Sequence, residues 1–412
     1  MSTPRCRAPK VRNCLWACRT AILGSLLLLS APARAEDVVA AVEVRGNTRT
    51  KSAVILRELL FHPGEPLQAA ALEESRRNLR NLLYLGRVQI HTVAAAPGSV
   101  LVIVEVDDLY ARALSPLLAG DDEEISYGAV AVDYNLFGQG QYARLTAFDD
   151  ARSGRRITAQ FGDPRIQSTQ LRLATEAGWA EEGHQLGVSL SQPFYQLATT
   201  WAYGASASSY ESWSRRYRSG TLAAIYADRL DAANLWLVRS YGADIKVRPG
   251  LQLAVSDHSF APLASYSYAP AGRRRVVSGL SLTVWQPRYV TDRFIQYLGP
   301  DEDFQVGSFL TLQAGLSARA LGSDRDYTYA ALTLSPRFRL ASGWLLLSSM
   351  ELRSRWHDDR YEDLRTSSSL RLLGKRPRWP GSPAVALRLA YDTIDRPEDT
   401  GSQYLLGGDS GL

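Results

Sequence analysis

The sequence predicts a mainly β protein, with a small α/β domain near its start and a long antiparallel array of strands after it. Three observations carry that reading. Leucines at helical spacing are confined to residues 51–83, whereas from about Ser126 onward apolar and polar residues alternate with a period of two. Outside the first 35 residues, no apolar run approaches the roughly 20 residues that a spanning helix requires.

The first 35 residues read as a signal peptide. Arg5, Arg7, Lys10, Arg12 and Arg19 precede an apolar core at 21–30, and Ala33-Arg34-Ala35 supplies a small-x-small cleavage pattern that places the mature start at Glu36. Cys6, Cys14 and Cys18 all lie in this segment, so the expected mature chain is held by backbone pairing and core rather than disulfides. Removing it also takes the formal charge from +5 to −1. The apparent pI of about 9.0 is therefore export machinery and gives no argument for nucleic acid as a partner.

Residues 36–108 form the α/β domain, in the order β-α-α-β-β. A strand from Val38 breaks at the turn pair Gly46-Asn47. Thr50 is expected to cap a helix over 51–60, in which Ile55, Leu56, Leu59 and Leu60 share one side and which Pro63-Gly64 ends. A second amphipathic helix spans 67–83, with Leu72, Leu79, Leu82 and Leu83 on one face. Strands at 87–93 and 99–107 follow, joined through Pro97-Gly98. With Val44-Arg45-Gly46-Asn47, GEPL at 64–67, NLRNLLYLGRVQI at 78–90 and VEVD at 104–107, this order resembles a POTRA domain, the periplasmic module that precedes the barrel in BamA-type outer-membrane proteins. The resemblance implies that a client strand pairs along the edge formed by Arg87, Val88, Gln89, Ile90, His91, Thr92 and Val93. The physics is strand addition: an open edge offers unpaired backbone donors and acceptors to an extended peptide. The plainer alternative is an edge without a client, or one that packs on the barrel mouth.

Residues 109–125, with the acidic run 121–124, are expected to be a solvated linker. Beyond it, the stretch 329–340 is representative. Ala330, Leu332, Leu334, Phe338 and Leu340 occupy one face, with Pro336, while Thr333, Ser335, Arg337 and Arg339 lie on the other. The same alternation recurs at 171–177, 186–190, 280–286, 310–316, 346–356 and 385–391. A soluble sandwich or propeller would pack the apolar face in a core; a transmembrane barrel would turn it to lipid. The Gly, Ser, Thr, Arg and Gln of the second face, and Tyr127, Tyr142, Trp201, Tyr203, Trp285, Tyr289 and Trp356 near strand ends, favour the barrel.

The hairpin 127–145 carries Asp133, Asn135, Gly138 and Gly140 in the pattern DxNLFGxG, and it resembles the first barrel hairpin of the BamA-type, or bacterial surface-antigen, family. FGDPR at 161–165 and SQPF at 191–194 resemble that family's strand-end turns, and the resemblance spans essentially the whole mature chain. The closing LLGGDSGL at 405–412 resembles the start of the family's large inward-folding loop, with Gly407 and Gly408 matching its glycine pair. The arginine that follows in that loop is absent. Family barrels have about sixteen strands, an even number as in bacterial single-chain barrels; some twelve to fourteen are expected here between Tyr127 and Tyr391. The resemblance thus implies residues 126–412 to be a partial transmembrane barrel that does not close.

Other chemistry finds little support. GQGQYA at 138–143 matches a dinucleotide fingerprint but leads into an alternating strand instead of a helix. GDSG at 408–411 lacks the surrounding histidine context of a serine protease. His62, His91, His184, His258 and His357 are scattered, with no metal-ligand spacing. Arg215-Arg216-x-Arg218 and Arg273-Arg274-Arg275 read as wet rims before lipopolysaccharide-phosphate sites. No catalytic residue, metal or cofactor is expected. The resemblance implies an outer-membrane protein of a Gram-negative bacterium, its POTRA domain in the periplasm. It would insert or translocate unfolded outer-membrane or secreted polypeptides, in contact with outer-membrane lipid and periplasmic accessory proteins but not nucleic acid. A two-partner secretion pore and a passive channel are the alternatives.

Overall fold

A computed structural model describes residues 37–397, apart from 121–123, 168, 220, 264–265, 294–300, 341–342 and 376–383. The expected signal peptide with its cysteines, the GDSG stretch and the glycine pair Gly407-Gly408 lie outside the described residues, as do three positions of the acidic run.

The N-terminal domain has the expected order: β1 (Val38–Arg45), α1 (Ser52–Leu56), α2 (Ala69–Arg80), β2 (Leu85–Ala96) and β3 (Ser99–Asp108). β3 is central, pairing parallel to β1 and antiparallel to β2. The helices cover one face of this sheet. Val39, Ile55, Leu79, Leu85, Val102 and Val104 are each at most 1% exposed and meet in a single core. Burial of each such side chain contributes roughly 1.5–3 kcal/mol, which is why the leucine spacing was readable. Both helices are shorter than expected. After Leu56 the chain tightens into i→i+3 bonds, Glu58 N to Ile55 O and Leu59 N to Leu56 O, so Leu59 reaches the core from a turn. Thr50 does not cap α1: Lys51 occupies the cap position, without a side-chain hydrogen bond, because the Thr50 hydroxyl is engaged elsewhere.

The rest is one antiparallel sheet. Its strands are β4 (Arg112–Gly120), β5 (Ile125–Leu136), β6 (Gln141–Asp150), β7 (Gly154–Asp163), β8 (Arg172–Ala180), β9 (Gly183–Gln192), β10 (Trp201–Arg218), β11 (Thr221–Arg239), β12 (Lys246–Pro262), β13 (Arg273–Trp285), β16 (Phe309–Ser317), β17 (Tyr327–Ser335), β18 (Arg337–Arg339), β19 (Leu345–His357), β20 (Arg360–Lys375) and β21 (Ala384–Asp395). Two short strands, β14 (Tyr289–Asp292) and β15 (Glu302–Gln305), pair only with each other. Every stretch singled out for alternation contributes to this sheet. The linker expectation needs correction, however: residues 112–120 form β4, whose Leu114 and Leu118 are each 78% exposed. Pro116 and the mixed Arg112-Ala113-Leu114-Ser115 pattern obscured a strand there, since proline in a strand marks an edge. With β4 and the three-residue β18, the sheet holds 16 strands among the described residues, and fourteen of these remain in the range counted from sequence.

The strands pair in chain order from β4 to β21, except that β13 pairs with β16 across the β14–β15 hairpin and β17 pairs with β19 while β18 pairs only with β19; among the described residues the two ends do not pair with each other. Among the described residues the sheet is open. Register makes the two faces explicit. The row Leu237–Leu251–Leu280–Ala314–Ala330 carries the apolar face, with Leu280 62% exposed. The next row, Gln252–Gly279–Gly315–Tyr329, is polar and small, and Gln252 Nε2 donates to the Tyr329 hydroxyl across it at 2.6 Å.

Candidate functional site: the junction between the α/β domain and the sheet turns

Strand-end turns of the sheet converge on the α/β domain, and a set of buried polar side chains marks the contact. Thr50, Glu58, Asn135 and Asp163 are each at most 9% exposed. Buried polar groups are costly unless they are hydrogen-bonded, so their partners define the site.

Thr50 is the centre. Its hydroxyl donates to Asp108 Oδ1 in a short bond and accepts from Asn135 Nδ2 at 2.8 Å. Asp108 Oδ2 also accepts from the backbone N–H of Arg49 at 2.6 Å and of Thr50 at 3.0 Å. Partial burial alone would raise the Asp108 pKa, but the hydrogen bonds from the Thr50 hydroxyl and from the Arg49 and Thr50 N–H groups outweigh it and hold the carboxyl below its ordinary range.

On the sheet side, all four residues of the DxNLFGxG hairpin act together. Asp133 Oδ1 accepts from Asn135 N at 2.8 Å while Asp133 Oδ2 accepts from Arg112 Nε at 2.8 Å, tying the turn to β4. Asn135 Oδ1 accepts from Gly140 N at 2.7 Å, leaving its amide N–H for Thr50. Lys51 N donates to Gly138 O at 2.9 Å. Both glycines are required twice over. Their φ angles are +71° and +70°, and a Cβ on Gly138 would lie 2.2 Å from Arg49 O, while one on Gly140 would lie 2.5 Å from the Tyr84 hydroxyl and 2.8 Å from Arg57 Nη2. Burial pushes the Tyr84 phenol well above its ordinary value, with the Arg57 guanidinium opposing only in part. The turn expected from sequence is therefore also the docking surface for the preceding domain. The strand that follows it, β6, begins at Gln141, so no helix N-terminus stands there to hold a pyrophosphate.

The other recognised turns reach the same domain. After Asp163 in the FGDPR stretch, Arg165 Nη2 bonds Glu58 Oε2 at 2.9 Å, and Asp163 itself accepts from Gln141 Nε2 at 2.8 Å. Beyond SQPF, Leu197 N donates to Glu74 Oε1 on α2 at 2.6 Å. Sequence reasoning did not identify a further contact, in which Arg80 at the end of α2 meets Asp303 of β15 at 3.2 Å and Arg77 lies over the Tyr289 ring of β14 at 4.7 Å. These partners are more than 200 residues apart, and no local pattern signals them.

The predicted edge strand occupies an edge in space. Among the described residues β2, containing residues 87–93, pairs with β3 on one side only. Arg87, Gln89 and His91 are exposed while Val88 and Ile90 are buried, and from His91 onward every β2 residue is exposed. One backbone acceptor is already engaged: Arg76 of α2 donates to Ile90 O at 3.0 Å, with Glu73 pairing the same guanidinium. Among the described residues no group of three or more His, Cys, Asp or Glu side chains is placed to hold a metal. Of the two arginine runs, Arg215 is paired with Glu182 and Arg216 lies over Tyr268.

The molecule thus joins a β-α-α-β-β domain to the turn end of a large antiparallel sheet. Residues 38–108 match the family model described as "POTRA: Surface antigen variable number repeat". The Outer membrane protein assembly factor BamA of Nitratidesulfovibrio vulgaris is 29% identical over 141 residues, which is 33% of this chain and 17% of that protein's length. Similar solved structures include BamA from Haemophilus ducreyi lacking POTRA domains 1-3 (12% identity, TM-score 0.39, 87% of this chain and 72% of that one) and CdiB from Escherichia coli (12%, 0.48, 87% and 65%). Residues 38–108 thus carry a POTRA domain, and the chain spans only 17% of the length of the BamA relative that it matches.

Proposed function

We propose that this chain is a non-enzymatic outer-membrane protein that inserts or translocates other polypeptides, with its POTRA domain in the periplasm. The client is captured as an added strand on β2, and the sheet, its leucine face toward lipid, receives or passes it. The observation that carries this reading is the one-sided pairing of β2: among the described residues, 87–93 have β3 on one side and no strand on the other. Such an edge recognises backbone first and side chains second, which suits unfolded clients of varied sequence. Arg76 on Ile90 O then acts as a partial cover that an incoming strand displaces. The apolar row through Leu251 and Leu280 supports lipid as the second partner. In this scheme the membrane domain begins at β4, and Asp133, Asn135, Gly138 and Gly140 aim the POTRA edge relative to it.

The test uses the full chain in lipid vesicles, an extended peptide from an unfolded outer-membrane barrel, and the same peptide N-methylated at alternate residues. Saturable binding of the first and none of the second is expected. Equal binding of both, or ion conductance with no peptide binding, would remove strand addition and favour a passive channel.

A further inference from the structure

Between α2 and the turn end of the sheet lies a cavity of about 240 Å³, lined among others by Arg77, Phe194, Arg248, Trp285 and Tyr289. Its donors and acceptors do not balance. The Arg248 guanidinium is stacked on Phe194 at 3.8 Å and lies 5.0 Å from the Trp285 ring, and among the described residues its hydrogen bond is Nε to Ser240 Oγ at 3.2 Å. Among the described residues no carboxylate pairs with it. Arg77, from the opposite wall, lies over Tyr289 and likewise has no carboxylate partner among the described residues. Trp285 Nε1 is buried without an acceptor among the described residues.

The acids on the wall do not answer this surplus. Asp303 is held by Arg80 and by the Thr291 hydroxyl, and Glu74 Oε1 accepts from Leu197 N. With Asp303 neutralised by Arg80, Arg77 and Arg248 face the single carboxylate of Glu74, so the wall carries one guanidinium in excess, and Trp285 Nε1 adds a buried N–H without an acceptor among the described residues. A guanidinium stacked on an aromatic ring keeps its in-plane N–H edge free, a geometry that matches the two oxygens of a carboxylate. The flanking rings favour a carboxylate carried on an apolar stem. The apolar leucine face is the other side of the sheet, since Arg248 pairs with Thr283 and lies in the polar row, so a lipid headgroup is the poorer fit.

We propose that this cavity is a carboxylate-binding site, formed by Arg248 and Arg77 with the Trp285 N–H, that takes an acidic side chain of a polypeptide at the POTRA–sheet junction. The site is independent of strand addition at β2, which lies on another element.

The full chain in detergent micelles is titrated with N-acetyl-glutamate N-methylamide, with its glutamine counterpart, and with inorganic phosphate, read by tryptophan emission and by calorimetry. Saturable binding of the glutamate compound alone is expected. Arg248→Gln should weaken it at least about tenfold, the scale of one lost hydrogen bond to a charged group, and Arg248→Lys by less. Arg77→Gln, which leaves the sheet ladder untouched, should weaken it as well, with unchanged circular dichroism confirming the fold. Absence of saturable binding, equal binding of the glutamine compound or of phosphate, or binding unaffected by both Gln variants would each overturn the site.

Discussion

The two halves of this molecule use apolar side chains in opposite ways. In the POTRA domain, Ile55, Leu79 and Val102 point at one another and are sealed from water. In the sheet, Leu251, Leu280 and Leu312 point away from the chain, at 56%, 62% and 42% exposure. The first region carries its own core; the second leaves its apolar row exposed. Where the two meet, neither strategy applies, and polar side chains that bond across the boundary take over.

The sharpest way to break this comparison is to truncate the POTRA core. Leu79→Ala and Ile55→Ala should each cost about 2–5 kcal/mol, seen as loss of protection of residues 38–108 in hydrogen exchange with the sheet unaffected. Leu280→Arg should do the reverse, costing about 2–4 kcal/mol if that side chain faces the bilayer midplane; unfolding in vesicles measures it, and a neutral result would mean that this face is not in lipid. At the boundary, Gly140→Ala should separate the domains without unfolding either, because its Cβ would overlap Tyr84 and Arg57. Spin labels on α2 and β9 would report a broadened distance distribution.

Smaller effects test the polar lock itself. Asn135→Ala removes the donor to Thr50 and the acceptor for Gly140 N, and it should cost about 1–3 kcal/mol of docking with both domains intact. Asp108 gives the weakest and most specific test. Its folded pKa is held below the usual value near 4, so its contribution is present above that pH and is lost as pH falls through the folded pKa. Docking should therefore loosen only in strong acid, and Asp108→Asn should abolish that dependence.

Much of the fold was legible from the sequence. Helical spacing at Leu72 and Leu79, and alternation at 310–316 and 385–391, report which side of an element meets apolar surroundings, and that is a local property of the backbone. Pro116 hid β4 because a proline-bearing edge strand lacks the usual pattern. Thr50 looked like a cap because its neighbours predicted a helix; its actual partners, Asp108 and Asn135, are 58 and 85 residues away. The hairpin residues Asp133, Asn135, Gly138 and Gly140 were found, but as a turn, since φ > 0 explains two of them without any second domain.

The sequence by itself determined the class of each region and the order of its elements, while only a resemblance pointed to the strand at 87–93 as an edge. Only the tertiary structure decided that the sheet's turns grip the POTRA domain, and that Arg77 and Arg248 meet across a cavity. Periodicity records the contact of a residue with its solvent, apolar or wet. A hydrogen bond or an unpaired guanidinium between distant segments leaves no period to read.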